Sequence, residues 1–280
     1  MPIFIKLKDK DRIKLFYLVK KNINSSWEEF YPSLRISRPM FFNYLSGRYN
    51  LPEKIFLRLQ RIAKIKINNY GKIKQSKYIK KNIIEPKMNI HLAEILGVLN
   101  GDGHISNFKH EVCIVGDEKE KEYCIYLKKL FQKTFGISFT IYKGESYFKL
   151  RTYSIELSDF LTKKYDLPKG NKMGKLKIPK QVLISKNLLK SYLRGLYDTD
   201  GSFYIRRKNE PVVQITSADP NFLDEIKRAL ISLDFSIAKG VNRIFIYRKG
   251  DIKVFFEVIK PANSKHLKKY QNYLNLIKRG

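Results

Sequence analysis

The chain has 280 residues, 43% of them hydrophobic, which is enough to bury one to three folded cores. Its 56 Lys and Arg against 26 Asp and Glu give a net charge of +30 and a pI near 9.9, as is typical of proteins that bind nucleic-acid phosphates. The sequence lacks an apolar run of transmembrane length and an N-terminal signal segment, so we expect neither membrane insertion nor export, and an intracellular location.

Residues 1–66 are predicted to form a small all-α domain. Apolar spacing predicts helices over 10–21, 27–34, 38–45 and 52–65. Residues 1–90 carry 21 basic and 6 acidic side chains, and this net +15 equals that of the whole remaining chain. Residues 67–88 are basic, and we interpret them as a linker that contacts phosphates. A basic ribosome-associated or simply lysine-rich protein is the alternative that charge leaves open.

Within this domain, the stretch from Ser26 to Arg48 resembles a helix-turn-helix of the phage-repressor type. Ser37 suits the cap of its second helix, and Gly47 suits the end. Pro32 argues instead for an ordinary helical bundle, because proline disrupts a helix interior. If the resemblance holds, the side chains available to a DNA major groove are Arg38, Asn43, Tyr44 and Arg48.

From residue 89 onward the chain reads as two repeats, 89–184 and 185–280. After a first helix in each, we predict strands over 104–109, 110–115, 137–143 and 147–153 in the first repeat, and over 202–207, 212–216, 235–239 and 243–248 in the second. Helices are predicted over 117–135 and 155–165, and over 219–233 and 252–259. The expected fold is therefore α+β, with two pseudo-symmetric αββαββα repeats whose antiparallel sheets pair as a saddle.

Alternation along these strands separates core positions from outward positions. Phe203 and Ile205 are expected in the core, while the residues between them point out. The outward side chains are basic or hydrogen-bonding, so we predict a DNA-binding surface. Its members are His104, Ser106, Lys149 and Arg151 in the first repeat, and Tyr204, Arg206, Gln214, Thr216, Arg243 and Arg248 in the second.

Each repeat opens with a similar apolar segment ending in Asp-Gly, at residues 95–103 and 193–201. Small residues four apart, Gly97 with Gly101 and Gly195 with Thr199, share one helix face and allow two helix backbones to approach closely. Such packing brings Asp102 and Asp200 together at helix C-termini, where their charges repel each other and the helix dipoles. A hard divalent cation relieves that repulsion, with the Gly101 and Thr199 carbonyls as further oxygen ligands.

These segments resemble the motif of the LAGLIDADG homing endonucleases in their single-chain, two-motif form, and the resemblance extends over residues 90–278. In that family the eighth motif residue is the metal-binding acid, which corresponds here to Asp102 and Asp200. The sixth position departs from the family pattern in one copy, since it is Asn100 in the first and Asp198 in the second. The resemblance implies a Mg²⁺-dependent, site-specific endonuclease that acts on double-stranded DNA as a monomer, in intron or intein mobility.

Family members also place a lysine near each half of the site. By resemblance, Lys172 and Lys265 are the candidates, with Lys169 and Lys175 as alternates in the first repeat. Because lysine is abundant in this chain, a plain phosphate contact or a solvated charge is an equal alternative for each. Cys113 and Cys124 are interpreted as buried thiols, and the four histidines as surface or hydrogen-bonded residues.

Two other functions use the same residues. A catalytically silent DNA-binding regulator keeps the fold without the chemistry, although such a protein has no need of two uncompensated acids. An RNA maturase that assists intron splicing is equally compatible with 18 Tyr, 18 Phe and a basic surface, because these side chains also stack on unpaired bases.

Overall fold

The computed structural model describes residues 3–74, 83–206 and 210–279. The chain divides into two compact units, Met1–Lys77 (unit 1) and Tyr78–Gly280 (unit 2). Each unit has its own cluster of buried apolar side chains. No helix in the described ranges combines the length and the apolar character needed to cross a bilayer.

Unit 1 is helical, as predicted, but it also contains a small sheet that the all-α prediction missed. Its helices are α1 (Asp9–Asn22), α2 (Trp27–Phe30), α3 (Arg38–Leu45) and α4 (Glu53–Ala63), with a 3₁₀ helix at Tyr31–Leu34. Its strands are β1 (Ile3–Lys6), β2 (Leu51–Pro52) and β3 (Gly71–Lys74), in the order β2-β1-β3. The pairing is antiparallel, and β3 falls inside the segment predicted as a linker, part of which lies outside the described residues.

Pro32 does not interrupt an α-helix in unit 1. Helix α2 ends at Phe30, and Pro32 lies in the first turn of the 3₁₀ helix that follows, where its missing N–H is tolerated. Helix α2 begins with a capping box, in which Ser26 and Glu29 bond each other's backbone N–H. The proline is therefore compatible with two successive short helices instead of the single predicted one.

Unit 2 contains the two predicted repeats. The first comprises α5 (Ile90–Asn100), β4 (Gly103–Ile105), β5 (Glu111–Asp117), α6 (Lys121–Phe135), β6 (Thr140–Lys143), β7 (Tyr147–Tyr153) and α7 (Ile155–Asp159), which continues as a π-helix to Lys164. The second comprises α8 (Lys186–Asp200), β8 (Gly201–Ile205), β9 (Pro211–Thr216), α9 (Pro220–Ile231), β10 (Ala238–Lys239), β11 (Arg243–Ile246), α10 (Lys249–Val258) and α11 (Ser264–Arg279).

The two sheets of unit 2 have the same topology. Their strand orders are β4-β5-β7-β6 and β8-β9-β11-β10, and all pairs are antiparallel. The first strand of each repeat pairs with the second in the same register, because Gly103 lies opposite Ile114 and Gly201 opposite Ile215. The prediction of an α+β fold with two equivalent four-stranded antiparallel sheets is confirmed.

Several elements differ in extent from the prediction; strand β10, for example, covers only Ala238–Lys239 instead of 235–239. Strand β4 ends at Ile105 rather than at residue 109, because the Ser106 hydroxyl accepts the backbone N–H groups of Phe108 and Lys109 and turns the chain. Helix α11 was not predicted, although Leu267, Tyr270 and Tyr273 repeat at helical spacing within it. Position 207, at the end of one predicted strand, lies outside the described residues.

Candidate active site

Helices α5 and α8 pack backbone against backbone at the centre of unit 2. A Cβ atom added to Gly97 would lie 2.0 Å from the Tyr192 carbonyl oxygen, and one added to Gly195 would lie 2.1 Å from the Glu94 carbonyl oxygen. These two contacts are equivalent, since exchanging the repeats, which are offset by 98 residues, converts one into the other: Gly97 corresponds to Gly195, and Glu94 to Tyr192. No side chain larger than hydrogen fits at either glycine without moving a backbone.

The same close approach continues to the ends of the helices. A Cβ atom on Gly101 would lie 2.0 Å from Thr199 Oγ1 and 3.4 Å from Asp200 Cγ. The Thr199 hydroxyl donates to the carbonyl oxygens of Gly195, at 3.2 Å, and Leu196, at 2.9 Å. Asp102 and Asp200 each lie where a helix passes directly into the first strand of its repeat. The two acids therefore occupy equivalent positions at one end of the helix pair.

Lys172 lies in the first repeat, on the segment between α7 with its π-helical extension and α8. Its half-buried Nζ donates to the carbonyl oxygens of Leu99, at 3.3 Å, of Asn100, at 3.0 Å, and of Gly101. These are carbonyls at the C-terminus of α5, which have no partner within the helix. The ammonium group therefore compensates the negative end of α5, and it already engages the Gly101 carbonyl that the sequence suggested as a metal ligand.

Lys265 lies in the first turn of α11. Its Nζ is 2.7 Å from Glu120 Oε1. The other carboxylate oxygen of Glu120 accepts a hydrogen bond from Asn263 Nδ2 at 3.1 Å. Glu120 directly precedes α6 in the first repeat, so this contact joins the two repeats.

Both acids have pKa values above the ordinary range. Desolvation by the surrounding protein raises the pKa of Asp200 to about 7, and the nearby charge of Asp102 adds to that effect, while Lys172 and Lys265 oppose it. Desolvation also raises the pKa of Asp102, with Lys265 and Lys172 again opposing and Glu120 reinforcing it. The pKa of Lys172 is lowered by desolvation, against the attraction of Asp200 and Asp102. The four groups thus form one electrostatically coupled cluster.

A hard divalent cation fits this cluster. Two carboxylates whose negative charge is disfavoured by their surroundings, together with nearby main-chain carbonyls, form an all-oxygen donor set suited to Mg²⁺. Within residues 3–74, 83–206 and 210–279, no three or more His, Cys, Asp and Glu side chains come together at metal-binding distance. Within the acid cluster, Asp102 and Asp200 are the side chains that would hold such an ion.

A groove of about 750 Å³ lies beside Asp200. It is lined by Asn100 and Gly101 from the end of α5, by Lys172, and by Thr216 and Arg243 from the second sheet. Thr216 also donates its hydroxyl to the Asp200 carbonyl oxygen at 3.2 Å. The groove therefore connects the acid cluster to the outward face of the second sheet.

On the first sheet, the outward residues form an ion-paired patch. Lys149 Nζ and Arg151 Nη1 lie 3.0 and 3.7 Å from Glu111 Oε1. The Arg151 guanidinium also stacks over the rings of Tyr142 and Tyr153, at 5.7 and 5.8 Å from their centroids. His104 is exposed on β4, whereas Ser106 lies in the turn that ends it. Glu111 is thus an acid on an otherwise basic face.

The second sheet carries an equivalent patch. The Arg206 guanidinium lies over the rings of Tyr247 and Phe245, at 4.6 and 5.8 Å. Tyr204 donates its hydroxyl to Gln214 Oε1 at 3.1 Å. Arg248 lies beyond β11, at the N-terminus of α10, so it belongs to the edge of this face. An arginine held between aromatic rings recurs on both sheets, at positions that sequence alternation identified only as exposed.

In unit 1, the prediction for Tyr44 is wrong. Its side chain is only 6% exposed and packs into the core of the unit, because helix α3 turns Phe41 and Tyr44 inward on one face. Arg38 and Arg48 are exposed, and Asn43 is half-buried. Arg38 lies 3.6 Å from Glu28 and stacks over the ring of Phe42. The exposed edge of α3 is therefore basic but narrower than predicted.

Sequence reasoning missed three polar residues, Glu111 on the face of the first sheet and Glu120 and Asn263 beside Lys265. The first two are acids within basic surroundings, and nothing in their local sequence distinguishes them. Asn263 gave a usable signal, since it occupies the N-cap region of a helical pattern, and its Oδ1 accepts the Lys265 backbone N–H at 3.2 Å.

A family model described as a LAGLIDADG-like domain matches residues 187–260. The replication factor C small subunit of Methanocaldococcus jannaschii is 26% identical over 234 residues, which cover 83% of this chain and 11% of that protein. The isomerizing glutamine–fructose-6-phosphate aminotransferase of the same organism is 31% identical over 156 residues, which cover 55% of this chain and 13% of that protein. The chain spans about a tenth of the length of these curated relatives.

Among solved structures, mesophilic variants of the homing endonuclease I-DmoI align with a TM-score of 0.45 and 15% identity, over 61% of this chain and 94% of theirs. The N-terminal LAGLIDADG domain of DUF199/WhiA aligns with a TM-score of 0.42 and 16% identity, over 64% of this chain and 86% of that one. The family match covers the second motif, and the first repeat has the same order of elements around an equivalent motif. Residues 187–260 of the chain are thus matched as a LAGLIDADG-like domain.

Proposed function

We propose that this protein is a site-specific endonuclease that hydrolyses both strands of double-stranded DNA with bound Mg²⁺. The observation that carries the proposal is the cluster at the end of the helix pair. Two equivalent aspartates lie there with raised pKa values, each repeat adds a lysine, and basic sheet faces follow directly from the acids. Two similar half-sites suit the two strands of a duplex, so one chain acts as a monomer.

The chemistry follows from these groups. Hydrolysis of a phosphodiester needs an activated water, stabilisation of charge at phosphorus and help for the departing oxygen, and a bound divalent cation supplies Lewis acidity for these needs. Asp102 and Asp200 would hold the ion. Lys172 and Lys265 place positive charge beside the acids, where they stabilise a phosphate drawn toward the cluster.

The sheet faces bind and align the duplex. Lys149, Arg151 and Arg206 provide positive charge for phosphates, and their aromatic or acidic neighbours restrict their rotamers, which reduces the entropy lost on binding. Arginine held in a fixed orientation is also suited to bidentate recognition of guanine. Unit 1 adds a further DNA contact through Arg38 and Arg48.

The curated relatives support the idea of a transferable module. The names of these relatives describe unrelated activities, and each relative is similar to this chain over only about a tenth of its own length. A segment shared by proteins of unrelated activity is most simply an insertion with a function of its own. This supports a role in the mobility of an intron or intein.

The test is a cleavage selection. Purified protein is incubated with a randomised duplex library in Mg²⁺, and the cut ends are sequenced. We expect a defined site cut on both strands, and loss of cleavage in Asp102→Asn and Asp200→Asn. Asp234→Asn is the matched control, because Asp234 is exposed at the end of α9 with a φ of 70°, which asparagine tolerates. Normal cleavage by either motif variant contradicts the assignment.

A second candidate is a DNA-binding regulator without nuclease activity. The contact between Lys172 and the Gly101 carbonyl favours it, because an ammonium group already compensates the end of α5. This candidate predicts that the wild-type protein shifts selected duplexes in a gel but leaves both strands intact in Mg²⁺. It also predicts that Asp102→Asn binds DNA as tightly as the wild type.

A further inference from the structure

The residue at the sixth motif position differs between the repeats, but in both repeats it is buried. Asn100 is 1% exposed, and Asp198 is 0% exposed. Neither points into the acid cluster. Each instead contacts a later segment of its own repeat, which carries that repeat's lysine.

Asp198 binds the N-terminus of α11. Its Oδ2 accepts the Ala262 backbone N–H at 2.8 Å, and its Oδ1 accepts the Asn263 backbone N–H at 3.1 Å. The Asn263 side chain returns a hydrogen bond to the Asp198 carbonyl at 3.2 Å and donates to Glu120. Glu120 then pairs with Lys265. A continuous set of hydrogen bonds therefore runs from the sixth motif residue to the lysine.

Asn100 makes the equivalent contact in the first repeat, but its side chain donates hydrogen bonds where that of Asp198 accepts them. Its Nδ2 donates to the Lys177 carbonyl oxygen at 2.8 Å and to the Tyr192 hydroxyl at 2.7 Å. Lys177 lies five residues beyond Lys172, whose Nζ reaches the end of α5. Here a side-chain donor meets a main-chain carbonyl, whereas Asp198 is an acceptor that meets main-chain N–H groups. The asymmetry at the sixth position thus matches an asymmetry in the segments that it contacts.

We propose that the sixth residue of each motif is a positioning residue that fixes the lysine of its own repeat, with Asp198 acting through Asn263 and Glu120 on Lys265, and Asn100 acting through the Lys177 segment on Lys172. The catalytic role of the two lysines rests on the proposed nuclease function, whereas the contacts that hold the lysines in place do not depend on that function.

The two lysines lie beside different groups of the cluster. Lys265, from the second repeat, pairs with Glu120 of the first repeat, whereas Lys172 binds carbonyl oxygens at the C-terminus of α5 in its own repeat. Loosening one segment is expected to impair one half-site and hence one DNA strand.

The first experiment measures the position of Lys265 without DNA. The full-length protein is treated briefly with acetic anhydride, and acetylation of each lysine is quantified by mass spectrometry. We expect Asp198→Asn and Asn263→Ala to increase the acetylation rate of Lys265 several-fold, because its pairing with Glu120 is weakened, while the exposed Lys268 is unchanged. Ser154→Ala is the matched control, since Ser154 is also a buried helix cap but serves α7.

The second experiment measures strand cutting. A duplex recovered from the library selection is labelled on each strand, and both rates are followed under single-turnover conditions in Mg²⁺. We expect Asn263→Ala to slow one strand by about 10- to 100-fold, as a displaced catalytic group does. That strand should be the one slowed in Lys265→Met. Asn100→Asp should slow the opposite strand, because it sets a carboxylate against the Lys177 carbonyl. DNA affinity measured in Ca²⁺ should not change.

Equal acetylation of Lys265 in the wild type, Asp198→Asn and Asn263→Ala overturns the positioning role whether or not DNA is cut. Equal slowing of both strands, at a thermal stability matched to Ser154→Ala, also overturns it. If the wild type cuts no duplex, the proposed function fails, and the acetylation result alone decides whether these residues hold Lys265.

Discussion

His266 is a buried titratable residue that lies outside the acid cluster. It is 1% exposed, and its ring lies 4.5 Å from that of Tyr197. Burial, reinforced by the charge of Lys265, lowers its pKa to about 3. The side chain is therefore neutral in the folded protein at any pH near neutrality.

This pKa predicts a loss of stability in mild acid. The unfolded chain binds a proton at His266 below about pH 6.5, whereas the folded protein does so only near pH 3, so stability falls as the pH decreases through this window. His266 should cost about 2 kcal/mol at pH 5 relative to pH 8. His266→Phe keeps the ring contact, and urea unfolding should show that this variant loses correspondingly less stability between the two pH values. Parallel losses in both proteins contradict the prediction.

His266 also shows how little the local sequence can predict about the surroundings of a single residue. The sequence suggested that His266 was a surface or hydrogen-bonded residue, because a histidine within a lysine-rich segment gives no local sign of burial. Its enclosure depends on α11 packing against α8 residues far away in the chain. Asp102 and Asp200 were identifiable because the repeat marks them twice.

At the scale of elements, the α5–α8 pair depends on its glycines. Gly97→Ala would place a methyl group 2.0 Å from the Tyr192 carbonyl oxygen, and the two backbones must separate to admit it. We expect a loss of about 1–3 kcal/mol in unfolding free energy. Gly250→Ala in α10 is the control, because an added Cβ there meets nothing within 4 Å, and it should change stability by less than about 1 kcal/mol. Similar thermal unfolding of the two variants would rule out close packing at Gly97.

The glycine spacing predicted this helix pair from the sequence because both partners carry the same local pattern. The anchoring of the lysine segments was not predictable in the same way. Asn100 and Lys177, or Asp198 and Ala262, are far apart in sequence, and the choice between an amide and a carboxylate makes sense only once the opposing main-chain group is known. The departure of Asn100 from the family pattern therefore looked incidental in the sequence, although it has a contact of its own.

At the scale of the molecule, both units are basic, and unit 1 is the more densely charged. Residues 1–77 hold 18 Lys and Arg against 5 Asp and Glu. Phosphate contacts release counterions, so the logarithm of DNA affinity falls with the logarithm of salt concentration by about 0.9 for each contact. The double variant Arg38→Ala/Arg48→Ala should lower this slope by about 2 on a mixed-sequence duplex in EDTA. Arg228→Ala, on the exposed side of α9, should leave it unchanged; an unchanged slope in the double variant removes unit 1 from the DNA contact.

The three-stranded sheet of unit 1 was not predicted from the sequence. Its strands have four residues or fewer, and two of them flank helical segments whose periodicity dominates any sequence window. The larger sheets of unit 2 were predictable because several of their strands are longer and all of them occur twice in the same order. Because the same order of elements occurs twice, strands with weak sequence patterns could still be predicted.

Both repeats lie in one chain, and this allows equivalent positions to carry different residues. In a dimer of identical subunits, every mutation is copied across the symmetry axis, so a donor and an acceptor cannot occupy equivalent places. Here one gene encodes both sides separately. Asn100 and Asp198 have consequently been free to evolve apart, each matched to the stretch of backbone that it meets.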